Sequence, residues 1–86
     1  MMTIKVLGPG CMNCRTLEQR TRGALAEIKL DAIVEKVTDF NDMASYGILR
    51  TPGLVIDGKL VIQGIVPQVQ KIKEIILAAQ KENSIS

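Results

Sequence analysis

Both cysteines of the chain, Cys11 and Cys14, fall in the segment GPGCMNC at residues 8–14, directly behind a short apolar run. Two thiols at this spacing serve three kinds of chemistry. They exchange electrons as a dithiol–disulfide couple, they ligate a soft metal ion, or they form a permanent crosslink. Compartment argues against the last. Apolar runs such as IIL (75–77) and LVI (54–56) fall far short of the roughly twenty residues that cross a bilayer, and the N-terminus has no signal-peptide layout. The expected location is therefore the cytoplasm, where thiols are kept reduced and a cysteine pair is catalytic or metal-binding rather than structural.

Size and composition narrow the partners. At 86 residues, 47% hydrophobic and 23% charged, the chain has the balance of a globular protein with one core, so residues 1–86 are read as a single domain. The net charge of +2 is weak, and one Phe and one Tyr supply no platform for stacking bases. Neither a nucleic acid nor a membrane is an expected partner.

The elements that must position the thiols are legible from residue types and their period. TIKVL (3–7) is a strand that delivers the chain to the turn Gly8-Pro9-Gly10. From Asn13 the period changes: Cys14, Leu17, Thr21, Ala24, Leu25 and Ile28 share one face of a helix of about four to five turns, while Arg15, Glu18, Arg22 and Lys29 point elsewhere. Gly23 lies inside it. AIVEKV (32–37) is a second strand, parallel to the first because a helical crossover joins them. Asp39 is the N-cap of a short helix with Phe40, Met43 and Ala44 on one face and Gly47 at its end. LVI (54–56) and KLVI (59–62) flank Asp57-Gly58, whose positive φ angles suit a type I′ hairpin. Val66-Pro67 opens the last helix, with Pro67 at its first position and Val69, Ile72, Ile76 and Ala79 on one face, and the tail 81–86 is expected to fray. The fold class is α/β in the order βαβαββα, a mixed four-stranded sheet with helices on both faces.

In this order Cys11 falls at a strand-to-helix turn. Unpaired N–H groups and the helix dipole stabilise a thiolate there, lowering a cysteine pKa from about 8.5 to roughly 3.5–7.5. Cys11 would then attack a partner disulfide, and Cys14 would resolve the mixed disulfide, leaving a Cys11–Cys14 bridge. Gly8 and Gly10 allow a tight turn and close approach of a substrate backbone, and Pro9 restricts the loop. RTPG (50–53) sets Pro52 just before a strand, in the only common context for a cis peptide, which would turn the Thr51 backbone towards the cysteines to pair with an extended substrate segment.

These segments carry a resemblance over almost the full length. CMNC (11–14) after the first strand, RTPG (50–53) before the hairpin and GIVPQ (64–68) ahead of the last helix are similar to the thioredoxin-like superfamily, most closely to the small glutaredoxin-like redox-active disulfide proteins of archaea and bacteria. The resemblance implies a thioredoxin-like fold, Cys11 as attacking thiol, Cys14 as resolving thiol and Pro52 as the cis-proline opposite them. It implies an electron carrier of protein-disulfide oxidoreductase type that needs no cofactor beyond the Cys11–Cys14 disulfide. Its partners would be disulfide-containing proteins and a reductase, with glutathione as a candidate small-molecule partner. Where thioredoxins have a Trp before the first cysteine and Gly-Pro between the pair, this chain has Gly10 and Met12-Asn13, and Lys5 stands at the position of the family's buried acid.

Other residues near the motif have plainer readings beside these. Arg15 and Arg50 flank the cysteines and offer charge support to a thiolate or a partner's carboxylate, although exposed arginines are usually only solvated. Met12 is an exposed contact residue for partners, Lys5 snorkels towards a sheet edge, and Tyr46 covers the core with its hydroxyl in solvent. The alternative class is metal handling, with Cu(I) on one thiolate pair or Zn(II) shared by a dimer, since two cysteines and no histidine leave a closed zinc site two ligands short.

Overall fold

The computed structural model describes residues 2–10 and 12–85, with side chains through Lys81. The elements run β1 (Met2–Leu7), α1 (Met12–Glu27), β2 (Ala32–Val37), α2 (Phe40–Ala44), β3 (Gly53–Ile56), β4 (Lys59–Gln63) and α3 (Val69–Ile85). This is the expected βαβαββα order. The strands form one four-stranded sheet in the order β2-β1-β3-β4. β1 pairs parallel with β2, from Met2↔Ala32 to Leu7↔Val37, and antiparallel with β3, ending at Leu7↔Gly53.

Alternation along β1 sorts the core into two layers. Met2, Ile4 and Val6 face α1 and α3, where they meet Leu17, Ala24, Leu25, Ile72 and Ile76. Leu17, Ile72 and Ile76 are wholly buried, and each contributes about 2 kcal/mol relative to exposure. On the other face Leu7 and Val55 pack with Met43 of α2, flanked by Val37, Tyr46, Ile48 and Leu60. Two helices thus cover one face and a short one covers part of the other.

Local chemistry accounts for the boundaries. Asp39 Oδ1 accepts the N–H groups of Asn41 at 2.7 Å and Asp42 at 3.3 Å, and so caps α2. Asp57 and Gly58 take φ values of 48° and 85°, which closes the β3–β4 hairpin as a two-residue turn of the expected kind.

Four details differ from the sequence reading. Pro67 lies ahead of α3 rather than inside it: the first α-helical bond runs from the Ile72 N–H to the Gln68 carbonyl. The Arg20 guanidinium donates to the Val66 and Pro67 carbonyls at 3.2 and 3.1 Å, holding both residues in the approach to the helix. At the other end α3 continues to Ile85 instead of fraying at Lys81. In α2 only Met43 is buried, and Phe40 is 72% exposed, because a five-residue helix has a single position directly over Leu7 and Val55. Lys5 reaches no edge, since β1 is an interior strand; its Nζ donates to the Tyr46 hydroxyl at 2.9 Å and lies 5.5 Å from the ring centroid. The hydrogen bond to Tyr46, then the charge interaction with it, raise the Lys5 pKa above its ordinary value.

Candidate functional site

Cys14 sits on the inner face of α1 with 6% exposure. The floor beneath it is Gly8. A Cβ at Gly8 would overlap the Cys14 Sγ and lie 3.1 Å from the Cys14 Cβ, so glycine is required by the thiol packed on it. The Gly8 N–H donates to the Val37 carbonyl at 2.9 Å, which continues the β1–β2 ladder past the strand and holds this floor in place. Gly8 is therefore needed for the approach of the chain's own sulfur, whereas Gly10, with φ 92°, does supply the turn conformation expected of it. Cys11 lies outside the described residues; by sequence it precedes Met12, the first residue of α1.

The second wall comes from the far side of β1. Because Leu7 pairs with Gly53, the register sets the residues that follow and precede them, Gly8 and Pro52, opposite each other just beyond the ladder. Pro52 is buried, Thr51 is exposed, and the peptide bond between them is cis. Two hydrogen bonds bind this loop to the end of β4: the Gly64 N–H donates to the Pro52 carbonyl at 2.8 Å, and the Leu49 N–H donates to Gln63 Oε1 at 2.9 Å. The Arg50 side chain lies along Gly64, where a Cβ would approach the Arg50 Cβ to 3.1 Å. Leu49 and Ile65, on the two linked loops, are 88% and 61% exposed. Met12, beside the thiols in sequence, is 81% exposed. A groove of about 350 Å³ lined by Phe40, Ile48, Leu49, Arg50 and Thr51 runs beside the Pro52 loop.

Arg15 and Arg50 lie in different settings. Arg50 belongs to the Pro52 side, whereas Arg15 lines a cavity of about 170 Å³ on the β2 side, together with Gly8, Gly10, Cys14, Glu18 and Lys36. There Glu18 accepts from Lys36 at 3.2 Å and from Arg22 at 3.1 Å. Burial pushes the Glu18 carboxyl up, but the hydrogen bonds from Lys36 and Arg22 outweigh it and hold the group below its ordinary value.

Cys14 is buried at the start of the crossover helix, the Thr51–Pro52 bond ahead of β3 is cis, and residues 2–77 match the family model of the thioredoxin domain. The chain belongs to the thioredoxin domain family. Thiol–disulfide oxidoreduction is the general chemistry that comes with membership. A thioredoxin of Methanothermobacter thermautotrophicus is 40% identical over 76 residues, covering 88% of this chain and 99% of that protein. A thioredoxin of Methanocaldococcus jannaschii is 36% identical over 74 residues, covering 86% of this chain and 85% of that one. No helix among the described residues is long and apolar enough to cross a membrane.

Several residues of this thioredoxin-family site carry no local motif. Glu18 is one helical turn beyond Cys14, and Lys36 stands opposite Val6 in the parallel register, so both fall on the thiol's side of the sheet. The helical period and the strand pairing together would have found them. Arg20 and Gln63 have no such signal, because each acts on a backbone group distant in sequence.

Proposed function

We propose that the chain is a thiol–disulfide electron carrier that acts through Cys11 and Cys14 on disulfides of partner proteins. The observation that carries this reading is the seat of Cys14, buried on the Gly8 floor at the end of β1 with the Thr51-Pro52 loop across the ladder from it. A sulfur so placed is shielded from bulky partners and suited to the second of two steps. In the first step the Cys11 thiolate attacks one sulfur of a partner disulfide; a Cys11–partner bond forms, and the other partner sulfur leaves as a thiolate. In the second, Cys14 loses its proton and attacks the Cys11 sulfur. The Cys11–Cys14 bond forms, the mixed disulfide breaks, and the partner leaves with both electrons.

The surroundings suit a polypeptide partner. Exposed Thr51 would pair its backbone with an extended segment, Met12, Leu49 and Ile65 offer apolar contacts, and Arg50 offers a donor for a carboxylate. Glutathione, a smaller bearer of carboxylates, would use Arg50 in the same way. The reaction takes place in the cytoplasm, draws electrons from a separate reductase and needs no cofactor beyond the cysteine pair.

Trapping separates the two thiols. Cys14→Ser is expected to accumulate mixed disulfides with partner proteins, and Cys11→Ser to form none and to lose disulfide reduction. Equal behaviour of the two variants would overturn the assignment.

A further inference from the structure

The cavity on the β2 side has no place in the partner-docking scheme above, which lies on the Pro52 side of Cys14. It is nevertheless built around that sulfur. Gly8, on which Sγ rests, is part of its wall, and so are Arg15 and Glu18 of α1 and Lys36 of β2. A volume of about 170 Å³ has room for several water molecules, and Arg15, Glu18, Lys36 and Thr38 are among the residues that line it. Two cations and one carboxylate line it, and the carboxylate is shared, since Arg22 also donates to Glu18. The local balance is positive. The family's buried acid has no counterpart here to take the proton of Cys14, because its position is Lys5, which faces Tyr46 on the opposite side of the sheet.

We infer that this cavity is where Cys14 ionises for the resolving step, with Lys36 as the cation that favours its thiolate and Glu18 as the carboxylate whose negative charge opposes it. The inference rests on the two-step reading above. In the resolving step the Cys14 proton leaves through cavity water to bulk solvent, the electron pair it leaves behind forms the bond to the Cys11 sulfur, and the partner sulfur departs as a thiolate. Positive charge across a small water-filled space stabilises the anion before and during the attack. Lys36 is 62% exposed at its side chain, so solvent and salt weaken its pull. Among the described residues, the charged groups that share this cavity with Cys14 are Arg15 and Glu18 from its own helix and Lys36 from β2, with Arg22 acting through Glu18.

The test is a two-phase reaction of the reduced full-length protein with dipyridyl disulfide, an uncharged reagent whose released thiopyridone absorbs in the near ultraviolet. The first release reports attack on the reagent, and the second reports resolution by Cys14. Lys36→Gln is expected to slow the second phase roughly three- to tenfold near neutral pH, to move its pH midpoint upward, and to leave the first phase unchanged. Lys36→Arg should restore both. Glu18→Gln, which removes the negative charge, is expected to move the midpoint in the opposite direction. Those opposite signs distinguish charge from a general loosening of the site, which would shift both variants the same way. An unchanged second phase in Lys36→Gln, or shifts of one sign in both variants, overturns the inference. Failure of the two-step reading would look different, since no first phase traceable to Cys11 would be seen in any variant.

Discussion

Replacing Gly8 by Ala should damage this protein more than its single added methyl group suggests. The new Cβ would overlap the Cys14 Sγ and stand 3.1 Å from the Cys14 Cβ, so rotating the thiol away does not relieve the contact. Nor can the floor drop, because the Gly8 N–H is bonded to the Val37 carbonyl and the next residue back, Leu7, is wholly buried. The φ of Gly8 is outside the left-handed region, so the effect is overpacking alone. Forcing an extra carbon into a packed site costs about 1–3 kcal/mol. At roughly 4–8 °C per kcal/mol for a domain of this size, a loss near the middle of that range lowers the melting temperature by roughly 8–16 °C. Gly23→Ala is the matched control. It adds the same methyl within α1 where no atom lies within 4 Å, and it should stabilise by about 0.5–1 kcal/mol. Thermal unfolding of the reduced proteins, followed by far-ultraviolet circular dichroism, measures both. In Gly8→Ala the displaced sulfur should also slow the second phase of the dipyridyl disulfide reaction. A Gly8→Ala protein that melts with the wild type and resolves at its rate would refute the packing argument.

Three further outcomes follow from the contacts described. Asp39→Ala removes the acceptor for two N–H groups of α2 and should lower stability by about 1 kcal/mol, read in urea unfolding. The Glu18 carboxyl is held below 4.5 in the folded chain, so its ion pairs stabilise fully above that value and fade as pH falls through the lowered one. The stability gap between wild type and Glu18→Gln should accordingly be larger at about pH 7 than at about pH 3, and a gap that widens in acid would contradict this sign. Arg20→Met removes the Nη1 group that donates to both the Val66 and Pro67 carbonyls, and amide exchange should quicken at Gly64, Ile65, Val66 and Gln68 while that of Ile72 in α3 stays slow.

Where local rules governed the outcome, the sequence could be read directly. The three-and-four spacing from Cys14 to Ile28 made α1, Asp39 capped α2, and Asp57-Gly58 turned the hairpin, since each depends on neighbours within a few residues. The misreadings share a physical cause. Pro67 has the right chemistry to begin a helix, yet a guanidinium from α1 binds its carbonyl and the one before it, and no property of residues 66–68 announces that. Lys5 looked like a charge in need of an edge until Tyr46, supplied by the loop after α2, gave it a hydroxyl. At the site, the positions of Cys14 and Pro52 followed from element order. The Gly8 floor and the Glu18–Lys36 cavity needed the strand register and the helix phase together, which only coordinates combine.

The two loops on the Pro52 side are fastened to each other before either is fastened to a helix. Pro52 holds Gly64, Gln63 holds Leu49, and Arg20 then anchors the Val66-Pro67 end. Mechanically they behave as one jaw rather than two. A visitor that pushes on Leu49 therefore also presses on Ile65, so its hold on one side of the mouth is transmitted to the other without any hinge having to swing.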